Sequence, residues 1–322
     1  MAVKVEIPIE KSAGKVREVT LGATAAEGGT RASTVTIGGE GALPFLHFDS
    51  PMPHRPVVGV EIHDVNPPEW PYHLREAWGD VMDDPCEWAR AAVKAGAELV
   101  VLRLSGTHPD AQDRSPEQAA ETVKAVLKAV DVPLIVYGPG QAEKDNQVLV
   151  KVSEAAAGER IGLGDIESTN YRTIVAAALA GGHVVIAQSP IDVNMAKQCN
   201  ILATDMGLPP ERLMMDPTTG ALGYGLEYTY SVMERLRLSA FQNDSMTQFP
   251  LICTVGEEAW RQKETKPLEG LPGAWGDLKQ RSVMWEILTA SSLLHAGADL
   301  LVLRHPKSVE QLKLAIDRLM KA

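Results

Sequence analysis

The sequence predicts an α/β fold, a (β/α)8 TIM barrel with an N-terminal β-hairpin extension, because one helix–glycine–strand phrase recurs along it. The phrase is AGAELVVLR at residues 95–103 and AGADLLVLR at 296–304, with a looser copy, AGGHVVI, at 180–186. In each copy a helix ends, a glycine stops it and a buried strand follows. Residues 56–322 have the length of a closed barrel of eight such units. An open, doubly wound parallel sheet is the alternative.

The first 55 residues are predicted to form the β-hairpin extension. Apolar and charged residues alternate at Val3, Val5, Ile7 and Ile9, and apolar runs follow at 16–21 and 35–37, with glycines between them. The proline-rich stretch at 51–56 suits neither a helix nor a central strand. We therefore divide the chain into an extension, residues 1–55, and a barrel domain, residues 56–322.

The barrel domain alternates apolar strand candidates with helix starts. The strand candidates are nearly continuous apolar runs, typical of parallel strands buried on both faces. They cover residues 57–63, 98–104, 134–137, 160–164, 183–188, 212–215, 251–254 and 300–304. Three helix starts have a capping residue three positions before Glu or Gln, namely Asp84, Ser115 and Ser308.

Composition excludes several classes of protein. The formal net charge of −11 opposes nucleic-acid binding, which depends on clustered Lys and Arg. No apolar run is long enough to span a bilayer and the N-terminus does not resemble a signal peptide, so we expect a cytoplasmic protein with neither nucleic acid nor membrane as a partner. Cys86, Cys199 and Cys253 are scattered singly, which argues against disulfides, structural zinc or an iron–sulfur cluster on this chain.

Polar residues follow the predicted strands, where the active face of a β/α barrel lies. Histidine, serine, threonine, tyrosine and glutamine dominate these ends, which favours hydrogen bonding over acid–base chemistry. Asp64, Asp165 and Asp216 are candidates to surround a cationic or amide-bearing ligand. Aspartate is also common as a helix cap or turn former, so a structural role stays open for each of them.

The most distinctive loop is DPTTGALGYG at residues 216–225. Its three glycines let backbone amides approach a ligand closely, and its two threonines add hydroxyls. It lacks the lysine of a phosphate-binding loop, so a polar, amide-decorated ligand is favoured over a nucleotide. A tight turn before a helix starting near Glu227 is the structural alternative.

Two predicted loops are longer than a barrel needs. Residues 65–82 contain Trp70, Tyr72, His73 and Trp78, and residues 256–280 contain Trp260 and Trp275. Tryptophan and tyrosine are enriched at interface hot spots, which suggests a partner surface or a lid. Packing against the barrel's own helices is the alternative.

A complete catalytic set is missing from the sequence. His63, His108 and His305 lack metal-binding spacing, and no lysine follows a strand to form a Schiff base; Lys144 and Lys197 are predicted on loop or helix surfaces. The cobalamin-binding pattern Asp-x-His-x-x-Gly, which supplies a histidine to cobalt, does not occur either. We therefore predict neither catalytic residues nor a protein-held metal.

Several of these features together resemble one family. The hairpin extension, the PMPHRP junction followed by VGVE, the loop at 216–225 and the final AGAD phrase are similar to the small (delta) subunit of the corrinoid iron–sulfur protein of the acetyl-CoA decarbonylase/synthase pathway. The resemblance covers essentially the whole chain, and the DPTTG loop is its most specific element.

The resemblance implies a barrel subunit that pairs with a larger subunit carrying an iron–sulfur cluster and a corrinoid-binding domain. The corrinoid would lie between the two chains, and its cobalt would receive a methyl group from methyltetrahydrofolate through a methyltransferase. The methyl group would then pass to acetyl-CoA synthase, which is associated with CO dehydrogenase. The cluster cysteines would belong to the partner, and this chain would need no catalytic side chains.

Barrel geometry suggests which residues contact the corrinoid. The candidates all follow predicted strands and offer hydroxyl, amide or backbone hydrogen bonds to the amides of a corrinoid rim. They are Thr107, Tyr137, Gly138, Gln188, Thr218, Thr219, Gly220 and Tyr224, with Asp64 and Arg304 as further candidates.

Two other functions stay open at this point. A pterin-binding barrel enzyme, such as a methyltetrahydrofolate methyltransferase or a dihydropteroate synthase, would use strand-end Asp and Asn, and Asp64, Asn66, Asp165 and Asp216 match that requirement. A barrel that only mediates interaction would form a heterodimer without corrinoid.

Overall fold

A computed structural model describes residues 8–321 of the chain. Its N-terminal part contains a two-stranded antiparallel sheet, β1 (Val19–Leu21) and β2 (Val35–Ile37), in which Val19 pairs with Ile37. This sheet confirms the predicted β extension. The predicted alternation at Val3, Val5 and Ile7 lies outside the described residues.

Eight parallel strands form the second sheet, as predicted. They are β3 (Val57–His63), β4 (Leu99–Arg103), β5 (Leu134–Tyr137), β6 (Gly162–Ile166), β7 (Val184–Gln188), β8 (Leu213–Asp216), β9 (Ile252–Cys253) and β10 (Leu300–Leu303). Their order is β8-β7-β6-β5-β4-β3-β10-β9. A parallel bridge between Met215 and Leu251 joins the two edge strands. The sheet therefore curls into a barrel, and the open-sheet alternative is wrong.

Helices alternate with these strands on the outside of the barrel. They are α1 (Tyr72–Trp78), α2 (Pro85–Lys94), α3 (Pro116–Ala129), α4 (Ala142–Ala155), α5 (Tyr171–Gly181), α6 (Val193–Asp205), α7 (Leu226–Phe241), α8 (Val255–Ala259), α9 (Leu278–His295) and α10 (Pro306–Leu319).

Two of the three predicted helix caps are correct. Asp84 accepts the backbone N–H of Cys86 at 2.7 Å, and Ser115 forms a reciprocal capping box with Gln118. The cap predicted at Ser308 is wrong, because α10 already begins at Pro306 and Ser308 lies within its first turn. His305 caps it by accepting the N–H of Lys307, and Pro306 takes the first helical position, where its missing N–H costs nothing.

Two hydrophobic layers hold the barrel together. Inward-facing strand residues such as Leu99, Ile135 and Val302 fill its interior, and Val19, Leu21 and Ile37 of the small sheet pack into the same cluster. Outward-facing strand residues pack against the helices in the second cluster. Since this small sheet contacts the amino ends of the strands, the carboxyl ends at the opposite face are left for a site.

The aromatic loops mostly pack against the barrel itself. Trp70, Trp78 and Trp260 are buried, so the expected partner surface or lid is wrong for these three side chains. Packing these rings against the barrel is favourable, because each buried tryptophan removes a large apolar surface from water. Tyr72 and Trp275 stay exposed.

Candidate functional site

The candidate site is the barrel mouth, which we define as the carboxyl ends of β3–β10 together with the loops that follow them. At its centre lies Glu61, a completely buried carboxylate on β3. Glu61 Oε1 accepts hydrogen bonds from Arg304 Nε at 3.2 Å and from His63 Nε2 at 2.8 Å. Arg103 Nε lies 3.6 Å from the same oxygen. The carboxylate thus has cations on both neighbouring strands.

The two arginines decide the charge of Glu61. Burial alone would raise the pKa of its carboxyl, but Arg304 and Arg103 hold that pKa well below the usual range. Arg304 also lies over the ring of Trp70, 4.6 Å from its centroid, and its backbone N–H donates to Glu286 Oε1 at 2.6 Å. Arg304 is therefore held from three sides, which suits a structural anchor at the base of the mouth.

Arg103 connects this anchor with the opposite wall of the mouth. Its Nη2 donates to Glu257 Oε2 at 2.8 Å, and its guanidinium lies 5.0 Å from the centre of the Tyr137 ring. Tyr137 is 1 % exposed, and its hydroxyl has no hydrogen-bond partner among the described residues.

Three further carboxyl groups of the mouth, those of Asp145, Asp165 and Asp216, each have a raised pKa. Burial and the Asp216 charge raise the pKa of Asp165 well above its usual value. Burial raises the pKa of Asp216 to about 7, although its Oδ1 accepts the Thr218 N–H at 2.8 Å. Burial also raises the pKa of Asp145 to about 6. Near neutral pH, this wall of the mouth resists a further negative charge.

A cavity of about 100 Å³ opens between β4, β5, β6 and β7. We call it the mouth cavity. Three of the predicted site residues, Tyr137, Gly138 and Gln188, line it together with Arg103, Gly140, Ala142, Asp145, Asp165, Glu167 and Asn170. A Cβ on Gly138 would lie 2.0 Å from Asp145 Oδ1, so only glycine fits beside this carboxyl.

The DPTTG loop follows β8 and is held by side-chain hydrogen bonds. Thr218, in the left-handed region at φ 63°, donates its hydroxyl to Ser189 O at 2.6 Å. The N–H of Gly220 donates to Thr229 Oγ1 at 2.8 Å. Thr219 is 4 % exposed and its hydroxyl has no partner among residues 8–321. Tyr224, at the outer end of the loop, is 73 % exposed.

The other predicted site residues are occupied within the fold. Thr107 is completely buried and donates its hydroxyl to Leu104 O at 2.6 Å. Asp64 Oδ1 accepts the N–H of Gly106 at 2.8 Å, which is a structural role, and its buried Oδ2 lies 3.6 Å from Arg114 Nη1. The structure thus groups Tyr137, Gly138 and Gln188 at one cavity and the threonines in a separate loop.

Four residues of the mouth were not predicted from the sequence: Glu61, Arg103, Asp145 and Glu257. One signal was available, because Glu61 is a charged residue within the apolar run of a strand that is buried along its whole length. Its partner Arg304 lies 243 residues further along the chain, a distance that no local pattern bridges.

The described residues contain no metal-ion site, and Lys144 and Lys197 are both paired. No group of three or more His, Cys, Asp or Glu within residues 8–321 is arranged to hold a metal ion. Lys144 and Lys197 lie on α4 and α6, where they pair with Asp113 and Asp244. Within the described part of the chain, no helix combines the length and apolarity needed to cross a bilayer.

The raised pKa of Asp216 leads to a stability prediction. A carboxyl whose pKa is higher in the folded than in the unfolded state costs stability once the pH passes its unfolded value, near 4. We expect Asp216→Asn to raise the free energy of unfolding by about 1–2 kcal/mol at pH 8 and to change it little near pH 4. Urea unfolding at both pH values measures this, and a variant equally affected at both would contradict it.

Solved structures with a similar architecture include dihydropteroate synthases. The enzyme from Yersinia pestis matches with a TM-score of 0.54 and 18% identity, over 83% of this chain and 94% of the enzyme. The enzyme from Coxiella burnetii, in complex with pteroic acid, matches with a TM-score of 0.58 and 12% identity, over 95% and 100%. At these identities the likeness shows the fold alone. The chain is therefore a TIM-barrel protein whose mouth offers hydrogen bonds around buried charges.

Sequence comparison gives the family. The profile of the CO dehydrogenase/acetyl-CoA synthase delta subunit matches residues 18–315. The chain is 42% identical to the acetyl-CoA decarbonylase/synthase complex subunit delta of Archaeoglobus fulgidus, over 94% of this chain and 68% of that protein. It is 41% identical to the Methanopyrus kandleri subunit delta, over 92% and 73%. The chain belongs to the CO dehydrogenase/acetyl-CoA synthase delta subunit family, and the resemblance described above is confirmed.

Proposed function

We propose that this chain is the small subunit of a heterodimeric corrinoid iron–sulfur methyl carrier in the cytoplasm. When bound, the corrinoid supplies a cobalt that receives a methyl group from methyltetrahydrofolate through a methyltransferase and delivers it to acetyl-CoA synthase, associated with CO dehydrogenase. Relatives are named as delta subunits of an acetyl-CoA decarbonylase/synthase complex, which supports a role within an assembly.

The observation that carries the proposal is a set of buried polar groups in the barrel mouth that have no partner within residues 8–321. They include the Tyr137, Thr219 and Ser189 hydroxyls and Asp165 Oδ1, together with Glu61 Oε2, Asp64 Oδ2 and Arg103 Nε. Buried polar groups are nearly always hydrogen-bonded in native proteins. The rim of a corrinoid carries many amides, which both donate and accept hydrogen bonds, so these residues fit the group.

The size of the mouth cavity supports a shared site. Pockets that enclose a drug-sized ligand measure roughly 300–1,000 Å³, whereas the mouth cavity measures about 100 Å³. A corrinoid ring would therefore lie over the mouth, with only its rim groups reaching in. The exposed Tyr224 lies on the same face of the barrel. A second chain would have to cover the rest of the ring, as a larger corrinoid-binding subunit does in the proposed heterodimer.

The cysteines support an iron–sulfur cluster on the partner. Cys199 and Cys253 are buried, and burial raises the pKa of both thiols, which disfavours the thiolate form that iron–sulfur clusters require. The Cys199 thiol donates to Ile166 O, and the Cys253 thiol lies 3.8 Å from Met233 Sδ. Neither thiol has the surroundings of a cluster ligand.

The pterin-enzyme alternative loses support from the structure. Asp165 and Asp216 approach each other in the mouth, but Asn66 is exposed and donates to Asp83 Oδ1 at 2.8 Å. Asp64 Oδ1 accepts the N–H of Gly106, and Asp64 Oδ2 faces Arg114 at 3.6 Å. The four candidate pterin ligands are thus not assembled at one place. Calorimetric titration of the lone chain with methyltetrahydrofolate is expected to show no binding, and micromolar affinity would favour the enzyme.

The threonine loop provides a test by substitution. Thr219→Val keeps the side-chain volume and removes the unpartnered hydroxyl, so we expect the affinity of the heterodimer for corrinoid to fall roughly fivefold, the effect of losing about 1 kcal/mol of hydrogen bonding. Thr122→Val, on the exposed face of α3, is the matched control. Equilibrium dialysis measures both variants, and unchanged affinity in Thr219→Val would remove this loop from the site.

A further inference from the structure

A second cavity, of about 910 Å³, lies between α1, α9 and the amino end of α10. We call it the side cavity, and it shares no lining residue with the mouth cavity. Trp275, Val283, Met284 and Pro306 form its apolar wall. Its volume falls in the range of roughly 300–1,000 Å³ that encloses a small organic ligand. The side cavity is therefore large enough to hold a ligand of its own.

Two buried histidines supply hydrogen-bonding groups to the side cavity. His73 on α1 and His305 before α10 line it, and each is 8 % exposed. Both pack on the Trp260 ring, with their centroids 5.4 and 5.7 Å from its centroid. Burial lowers the pKa of His73 and lowers that of His305 to about 4, so both rings are neutral near pH 7. A neutral imidazole has one donor nitrogen and one acceptor nitrogen.

Hydrogen bonds within the fold assign the proton of each ring. The N–H of Lys307 donates to His305 Nδ1 at 3.1 Å, so the proton of His305 is on Nε2. Ser282 Oγ donates its only proton to Leu278 O at 2.7 Å. It therefore accepts from His73 Nε2 at 2.9 Å, which leaves His73 Nδ1 as an acceptor. His305 Nε2 and His73 Nδ1 have no hydrogen-bond partner among residues 8–321, so the side cavity offers one unused donor and one unused acceptor.

The His305 end of the side cavity is electrostatically positive. Lys307 is exposed and has no carboxylate within 4 Å among the described residues, whereas Lys279 pairs with Glu76 at 2.6 Å. The amino end of α10, a helix of 14 residues, adds the positive end of its dipole. An anionic group placed here would accept the N–H of His305 Nε2 and would neutralise Lys307.

A tryptophan lines another part of the side cavity and remains open to solvent. Trp275 is 42 % exposed, although its ring packs against Trp285 with 5.5 Å between the centroids. The indole N–H of Trp285 donates to Leu222 O at 3.0 Å, which fixes this support. Met284, also 42 % exposed, lines the same cavity. A planar ring stacked on Trp275 would remove the apolar surface of both side chains from water.

We propose that the side cavity binds a planar heteroaromatic ring that carries an anionic group, the chemistry of a nucleoside phosphate. The phosphate accepts from His305 Nε2 and pairs with Lys307, the ring stacks on Trp275, and an amine on the ring donates to His73 Nδ1. A phosphate alone would leave Trp275 exposed, and an uncharged ring would leave Lys307 unpaired. This site goes beyond the corrinoid role proposed above and does not depend on it.

Calorimetric titration of the full-length chain with adenosine monophosphate tests the assignment. We expect this nucleotide to bind at least about tenfold more tightly than adenosine or inorganic phosphate, because each fragment keeps only part of the contacts. Purine riboside monophosphate, which lacks the ring amine, should bind about fivefold more weakly than adenosine monophosphate, the effect of one lost hydrogen bond. No binding of adenosine monophosphate, or equal affinity for it and either fragment, would overturn the proposal. Equal affinity for the two nucleotides would overturn the role of His73.

Two substitutions test the anion-binding end of the side cavity. Lys307→Gln removes one exposed charge and should weaken the binding of adenosine monophosphate about tenfold. Lys128→Gln, at an exposed position of α3, is the matched control and should bind like the wild type. His305→Asn keeps a side-chain oxygen to cap α10 but removes the Nε2 donor, so it should also weaken binding about tenfold.

Thermal unfolding of each variant checks that it is folded. The Lys307→Gln comparison stands even if His305→Asn does not fold, because Lys307 is exposed and makes no ion pair with the described residues. Unchanged affinity for adenosine monophosphate in folded Lys307→Gln, or an equal loss in Lys128→Gln, would overturn the assignment of the phosphate to this end of the side cavity.

Discussion

Replacing Glu61 with alanine is expected to lower the free energy of unfolding by about 3–5 kcal/mol, the usual cost of breaking a buried ion pair by removing one partner. Glu61 is completely buried and accepts from Arg304 and His63. Without it, the Arg304 guanidinium stays in the barrel interior and its positive charge has lost its carboxylate partner. Chemical denaturation followed by circular dichroism measures the change.

The matched control is Glu121→Ala, which breaks an exposed pair with Lys124 on α3. Exposed pairs contribute little, so we expect a change of about 0.5 kcal/mol or less. Because the folded-state pKa of Glu61 is depressed, its contribution is present above its unfolded pKa of about 4.3 and is lost as the pH falls through the folded value. Similar losses for both variants at pH 7 would show that Glu61 is not a buried anchor.

Gly220→Ala is expected to destabilise the protein by about 3 kcal/mol and to lower corrinoid affinity. A Cβ at this position would lie 2.4 Å from the backbone oxygen of Gly225, and backbone cannot move aside as a flexible side chain can. The displacement would break the Gly220–Thr229 hydrogen bond and shift the neighbouring Thr219. Thermal unfolding and equilibrium dialysis of the heterodimer measure the two effects.

Gly273→Ala is the control for this substitution, because nothing lies within 4 Å of its Cβ position. We expect this variant to unfold and to bind corrinoid like the wild type. If Gly220→Ala also behaves like the wild type, the loop at 216–225 is neither rigid nor required in its present conformation.

The barrel could be predicted from sequence because a parallel strand buried on both faces has an apolar pattern that is local. The same reasoning placed the strand β6 two residues too early, at 160–164, whereas it covers Gly162–Ile166. Arg160 has a φ of 48°, a turn conformation that excludes it from the strand, while Asp165 lies within the strand. A half-buried aspartate gives no apolar signal, so the apolar pattern could not show that the strand extends to Asp165.

The candidate site was predictable in part. Tyr137, Gly138 and Gln188 lie together because the ends of neighbouring parallel strands meet at one edge, a rule that needs only the strand order. Thr107 shows the limit of that rule, since its hydroxyl turns back to Leu104 instead of facing the mouth. Side-chain direction at a strand end depends on the next loop, and the ion pairs around Glu61 depend on residues far apart in sequence.

Cobalt content tests the central claim most directly. The chain would be purified alone and again after co-expression with a corrinoid-binding large subunit, in each case with corrinoid supplied, and cobalt would be measured by elemental analysis. A carrier subunit that contributes half of a shared site predicts a colourless lone chain with almost no cobalt, and a heterodimer with about one cobalt per pair. A stable heterodimer without cobalt would contradict the account and would indicate a barrel that serves only for interaction.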